Sequence, residues 1–141
     1  MEESIRKIFG LPEGNPRMLP TLSLAYVGDA LFDLVVRTVL CEESGGLNGA
    51  LHRRALPYVS AVGQAKMAEA LQPLLTEEEE AVFRRGRNAK PEHGAKNASS
   101  REYHLATGLE ALLGYLYLSG QSVRAAELIK TGMPYAGNEQ N

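Results

Sequence analysis

Two acidic residues stand alone in long apolar segments, and they are the side chains best placed to do chemistry. Asp29 is the only charged residue of residues 19–31, and Glu110 is the only one of residues 106–122. Burying an isolated ionised carboxylate is costly unless it is paired or bound to a metal. Mg²⁺ needs only one or two protein carboxylates, the rest of its shell being water and phosphate. The pattern therefore predicts a Mg²⁺ site formed by Asp29 and Glu110.

Asp29 also has a purely structural explanation. On a helix it shares a face with Asp33, and an ion pair between Asp33 and Arg37 would leave Asp29 as an incidental neighbour. The adjacent Gly28 favours the functional reading, because glycine inside a helix usually permits close approach of another backbone or a ligand.

Glu110 has a structural explanation as well. A backbone group or a nearby hydroxyl, from Tyr115 or Tyr117, could satisfy a buried glutamate without any metal. Two isolated acids in two apolar helices are nevertheless better explained together, by one cation between them.

A basic segment follows an acidic one in the middle of the chain. The net charge is only −2, but local clustering matters more than the mean for phosphate binding. Thr76 and Glu79 form a capping-box pattern, so the acidic block has a structural role at a helix start. A solvated loop could equally explain the basic residues. The candidates for binding the RNA or DNA backbone are Arg84, Arg85, Arg87, Lys90 and Lys96, with Arg53 and Arg54 as further possibilities.

The rest of the pattern is helical, with no sustained alternation typical of strands, and predicts an all-α single domain over residues 1–141. Gln64 is expected on a wetter face of its helix. Glycines and prolines predict an irregular lead-in over 1–17, a mobile basic loop over 86–101 and a frayed tail over 131–141. Helices are expected at about 21–40, 47–58, 60–71, 103–118 and 122–130, with one more that starts after the N-cap Thr76 and carries the arginines of the basic segment near its end.

The composition narrows the cellular setting. The single cysteine, Cys41, cannot form an internal disulfide, which favours a reducing cytoplasm. No signal-peptide pattern is seen, and no apolar run has the roughly 20 residues needed to span a bilayer. Aromatic residues are sparse, at 6% with no Trp, so stacking on single-stranded bases is poorly supported, whereas shape-based binding of double-stranded RNA needs no aromatic platform.

Three segments carry a family resemblance. LSLAYVGDALFDLVVR resembles the signature helix of the ribonuclease III family, and LATGLEALLGYLYLSG resembles its later catalytic helix. LHRRALPYVSAVGQAKMAEAL is similar to the middle helices. The chain most resembles the compact bacterial Mini-ribonuclease III branch, which lacks a double-stranded-RNA-binding domain, and the resemblance covers about residues 18–130.

The resemblance implies an all-α endonuclease domain that forms a homodimer, depends on Mg²⁺ and cleaves double-stranded RNA to 5′-phosphate and 3′-hydroxyl ends. It places Asp29 on the signature aspartate and Glu110 on the metal-binding glutamate. Tyr26 falls where the family often has an aromatic at the dimer interface, although core packing is the simpler explanation. The implied substrate is a ribosomal RNA precursor, with maturation of 23S rRNA ends, and a ribosomal protein is a possible partner.

The chain departs from the family pattern at two acidic positions. Ala25 and Thr107 stand where fuller relatives carry further acids, so the site has half the family's carboxylates. This predicts weaker metal binding. It also leaves open a rival function, a non-catalytic double-stranded-RNA-binding module with a degenerate metal site. A purely structural helical bundle, with no affinity for RNA, is a third possibility.

Overall fold

The computed structural model describes residues 1–45, 49–90 and 100–137. In these three ranges the regular structure is helical, without a strand, which confirms the predicted all-α class. None of the described helices is long and apolar enough to cross a membrane. The α-helices are α1 Glu2–Phe9, α2 Thr21–Glu43, α3 Leu51–Val59, α4 Ala61–Leu71, α5 Glu77–Arg87, α6 Ser100–Leu118 and α7 Ser122–Ala136, with 3₁₀ turns at Pro16–Met18 and Gln72–Leu74.

Helix α6 lies at the centre of the bundle. It packs against α2, α5, α4 and, less extensively, α7. Residues 105–117 of α6 are buried with the single exception of Glu110, which is half-buried. A helix covered on most sides is hydrophobic all round, and this explains the long apolar segment in which Glu110 stands alone.

Two glycines bring the backbones of α2 and α6 into direct contact. A Cβ atom added to Gly28 would lie 1.7 Å from the Glu110 carbonyl oxygen, and one added to Gly114 would lie 1.9 Å from the Leu24 carbonyl oxygen. Only glycine fits at such a crossing. The close approach expected at Gly28 is therefore confirmed, and the neighbouring backbone is that of Glu110 itself.

The lead-in is more ordered than predicted. The expectation of an irregular stretch over 1–17 is wrong for Glu2–Phe9, which forms α1, and for the 3₁₀ turn at Pro16–Met18. Acidic residues in the first turn and basic residues in the last favour α1, and Gly10 ends it in the left-handed conformation at φ 62°. All the glycines and prolines of this stretch follow Phe9, so they end the helix at that point and do not interrupt it.

The predicted loop and tail are shorter than expected. Gly86 and Arg87 belong to α5, while residues 100 and 101 begin α6. Residues 131–136, expected to fray, continue α7 because that helix packs against α4 and buries Gly132 and Ala136. Residues 91–99 and 138–141 lie outside the described residues.

Helix α5 begins as the sequence predicts. The Thr76 hydroxyl accepts from the Glu79 backbone N–H at 3.1 Å, and a Glu79 carboxylate oxygen accepts from the Thr76 N–H at 2.9 Å, which completes the capping box. Glu79 is also bound by Arg124 of α7 at 2.8 Å. These contacts fix the start of α5 and so help to place the arginines at its other end.

Candidate metal and RNA site

The α2–α6 crossing places Asp29 and Glu110 together. Gly28, directly before Asp29, contacts the Glu110 backbone. The two carboxyl groups are close enough to share a proton in a hydrogen bond. The structure thus brings together the two acids that the sequence singled out, from positions 81 residues apart in the chain.

The two acids differ in exposure. Glu110 is half-buried, but Asp29 is exposed, so the expectation that both are buried is wrong for Asp29. The reason lies in α2, whose apolar residues exceed what the core can cover. Tyr26, three residues earlier, is 82% exposed, and its alternative explanation as a core residue is therefore wrong.

The electrostatics of the pair favour a bound cation. Burial, followed by the hydrogen bond to Asp29 and the negative charge of Asp29, raises the pKa of Glu110 to about 8. Two carboxyl groups this close compete for charge, and one of them holds a proton. A divalent cation would replace that proton and satisfy both acids. The donor set therefore fits Mg²⁺.

The tyrosines that could have satisfied Glu110 interact elsewhere. Tyr115 lies near Glu78, and Tyr117 lies near Glu2. The i,i+4 ion pair between Asp33 and Arg37 is present at 3.6 Å. Asp33 is therefore paired as the structural explanation required, while Asp29 interacts with Glu110.

The two positions at which fuller relatives carry further acids provide no carboxylate here. Ala25 and Thr107, where fuller relatives carry acids, are both buried, and the Thr107 hydroxyl donates to the Tyr103 carbonyl of its own helix at 2.9 Å. Within the described ranges, no group of three or more His, Cys, Asp or Glu residues could hold a metal. A cation here would depend on two protein carboxylates, water and substrate phosphate.

Gln64 is the residue at this site that the sequence placed wrongly. It was expected on a wetter face of α4, but it is only 2% exposed, and its amide group faces Glu110. Helix α4 packs against both α6 and α7, and the face that carries Gln64 is covered together with Ala68 and Leu71. The available signal in the sequence was the position of Gln64 between two small residues, Gly63 and Ala65.

Three of the predicted basic residues lie near the two ends of α2. Arg84 and Arg85 line a cleft beside Thr21, at its start. Arg54 approaches Glu43, at its end, to 3.8 Å. Asp29 lies between these ends, about 12 Å along the helix from Thr21 at 1.5 Å per residue. Along α2, these three arginines therefore lie on either side of Asp29.

Most of these basic side chains are accessible to a ligand. Arg84 and Arg54 form only surface ion pairs, which contribute little stability and which a phosphate could replace. Arg87 is half-buried, with its guanidinium 5.9 Å from the centre of the Phe83 ring. The exposed members are Arg53, Arg54, Arg84, Arg85 and Lys90. Lys96 lies outside the described residues.

Comparison with known proteins agrees with the geometry. The model of the ribonuclease III domain family matches residues 22–121. The chain is 48% identical to a Mini-ribonuclease 3 of Symbiobacterium thermophilum, covering 86% of this chain and 93% of that protein. It is 46% identical to the Mini-ribonuclease 3 of Enterococcus faecalis, covering 80% and 87%.

A solved structure has a similar fold. The crystal structure of a Fusobacterium nucleatum protein superposes with a TM-score of 0.73 at 27% identity, covering 84% of this chain and 94% of that one. The family match spans both α2 and α6, the helices that carry the acid pair. The chain therefore belongs to the ribonuclease III family of endoribonucleases.

Proposed function

We propose that this chain is a Mg²⁺-dependent endoribonuclease that cleaves double-stranded RNA to 5′-phosphate and 3′-hydroxyl ends. The observation that carries the proposal is the Asp29–Glu110 pair, held together by the glycine crossing of α2 and α6. The family assignment supports the same activity. The relatives named Mini-ribonuclease 3 support the compact form of the enzyme.

Asp29 and Glu110 would hold the cation. When bound, Mg²⁺ would lower the pKa of a coordinated water and stabilise negative charge on the scissile phosphate. Asp29, being exposed, can reach a phosphate-bound ion at the surface, whereas half-buried Glu110 fixes the inner side of the site. Because only two carboxylates are present, we expect weaker metal binding in the absence of RNA than a four-carboxylate site would give.

The basic residues near the ends of α2 would hold the RNA backbone. Lys and Arg contacts to phosphate position a duplex without reading its sequence. The exposed residues on both sides of Asp29 suit contacts on either side of the cut. We assign this role to Arg84, Arg85, Arg87, Lys90 and Lys96, with Arg53 and Arg54.

A homodimer is part of the proposal. Tyr26 projects from α2 near other exposed apolar residues, Met18, Leu19 and Leu22. Contiguous exposed apolar surface is typical of a protein–protein interface. We place the dimer contact at this face, with Tyr26 at its centre.

The family resemblance extends the proposal to a biological role. We infer maturation of the ends of 23S ribosomal RNA precursors, with rRNA binding in the cytoplasm, and a ribosomal protein as a possible partner. The one free cysteine, Cys41, is exposed, which suits a reducing compartment.

A second function has one observation in its favour. Ala25 and Thr107 provide no ligands, so the chain could bind double-stranded RNA without cutting it. The two functions differ in one experiment, incubation of a long RNA duplex with the protein in Mg²⁺ or in excess chelator.

We expect the duplex to be cleaved only when Mg²⁺ is present, and a single strand of the same sequence not to be cleaved. The products should carry a 5′-phosphate, which makes them substrates for ligation. Duplex binding without cleavage at any Mg²⁺ concentration would favour the non-catalytic module. If the protein neither binds nor cleaves the duplex, the remaining explanation is a purely structural helical bundle.

A further inference from the structure

Gln64 carries a polar amide group inside the apolar core. The side chain is 2% exposed on α4, and its amide nitrogen has no hydrogen-bond partner among the described residues. A buried unsatisfied polar group typically costs 1–3 kcal/mol, and such groups are rare in native proteins. Methionine or leucine would fill the same space without that cost, so the amide calls for an explanation.

The amide faces the candidate site. Helix α4 packs directly against α6, and the Gln64 amide group approaches the Glu110 carboxyl group. The approach falls short of a full hydrogen bond, because the nitrogen remains unpaired. Gln64 is too deeply buried to contact RNA, so Glu110 is the functional group within its reach.

We propose that Gln64 is a positioning residue for the metal site, whose amide nitrogen donates to the ionised Glu110 carboxylate and holds it toward the cation. This inference rests on the proposed function, since it requires Glu110 to bind a metal. Residues that hydrogen-bond to metal ligands orient them, and their loss typically costs 10–100-fold in metal affinity or activity. In a site with only two carboxylates, the orientation of each has a large effect.

The test is Gln64→Met, which keeps an unbranched side chain of similar size and removes the donor. The direct measurement is Mn²⁺ binding to the RNA-free protein, followed by the electron paramagnetic resonance signal of free Mn²⁺. We expect the dissociation constant to rise about tenfold. The Mn²⁺ concentration for half-maximal duplex cleavage should rise by the same factor, while the KM for duplex at saturating Mn²⁺ stays unchanged.

A matched control separates positioning from packing. Met67→Leu alters a fully buried side chain one turn further along α4, which contributes to the core and carries no hydrogen-bonding group. It should bind Mn²⁺ like the wild type. Gln64→Met should unfold at the same or a higher urea concentration than the wild type without metal. Gln64→Leu provides a second donor-free variant if Gln64→Met does not fold.

The outcomes are distinct. Wild-type Mn²⁺ affinity in a folded donor-free variant would overturn the role of Gln64 and leave the proposed function intact. An equal loss of affinity in Met67→Leu would also overturn it, because packing alone would then account for the effect. Absence of both Mn²⁺ binding and cleavage in the wild type would overturn the proposed function, and with it this inference.

Discussion

Replacing Gly28 with alanine should break the α2–α6 crossing that forms the site. The added Cβ would lie 1.7 Å from the Glu110 carbonyl oxygen and 2.8 Å from the Gly114 nitrogen. The gap must widen by roughly 1.7 Å before the first contact reaches an ordinary van der Waals distance. Both neighbours are backbone atoms of a central helix, so no side chain can rotate away to make room.

The cost follows from this geometry. Overpacking a core typically costs 1–3 kcal/mol, and a clash between two backbones should exceed about 3 kcal/mol. Alanine regains only about 1 kcal/mol through its better helix propensity. We therefore expect Gly28→Ala to lower the urea midpoint by about 1–2 M, measured by far-ultraviolet circular dichroism at a fixed protein concentration.

Gly132→Ala is the matched control. Gly132 also lies inside a helix, but its added Cβ would meet side-chain atoms of Met67 and Leu71, at 3.0 and 3.2 Å. These side chains can adjust, so stability should change by less than about 1 kcal/mol. Equal urea midpoints for the two variants would refute the claim that the α2–α6 contact determines the position of Asp29 relative to Glu110.

Three further predictions follow from single groups. In the metal-free protein, the pKa of Glu110 is raised from 4.5 to about 8. The protonated carboxyl group therefore contributes to the free energy of unfolding in full below pH 4.5, and this contribution is lost as the pH rises to 8. In the wild type, the free energy of unfolding should therefore fall with pH between 5 and 8, by at most about 1.4 kcal/mol per pH unit, and Glu110→Gln should remove this slope when unfolding is measured in urea. An unchanged slope would contradict the burial of this carboxyl group. The hydrogen bond from Arg124 lowers the pKa of Glu79. Glu79→Gln should therefore lower the free energy of unfolding by about 2 kcal/mol at pH 7, as measured by thermal unfolding, and leave Mn²⁺ affinity unchanged. A loss of Mn²⁺ binding would show that the α5 cap affects the site. Arg84→Ala and Arg85→Ala should each weaken binding of RNA duplexes whatever their sequence. Each should also reduce the slope of log binding constant against log salt concentration by about one, as measured by fluorescence anisotropy in a salt series. An unchanged slope would show that the residue does not contact RNA phosphate.

Local patterns predicted the parts of the fold that local interactions determine. The capping box of Thr76 and Glu79, the ion pair of Asp33 with Arg37 and the helical class all depend on neighbours a few residues apart. The isolation of Asp29 and Glu110 in apolar segments singled out two acids that the structure brings together, although the burial cost behind that prediction applies only to Glu110, since Asp29 is exposed.

Tertiary contacts determined what the sequence could not show. Helix α2 is apolar on nearly every side, so its pattern could not indicate that Asp29 and Tyr26 face outward. Gln64 was misplaced because the cover over α4 comes from α6 and α7, which are distant in sequence. The short helix α1 has no buried residue and depends on its charge pattern and its glycine C-cap, signals that the nearby prolines and glycines obscured.

The most direct test of the central claim compares Asp29→Asn with the wild type on one long RNA duplex at saturating Mg²⁺, with cleavage rate and duplex affinity both measured. We predict that the cleavage rate falls by more than about 100-fold, which is beyond the range for residues that only support a metal ligand. Duplex affinity in excess chelator should stay within a factor of about two, because the basic residues beside α2 are unchanged. Cleavage at the wild-type rate by Asp29→Asn would contradict the assignment of the Asp29–Glu110 pair as the metal site.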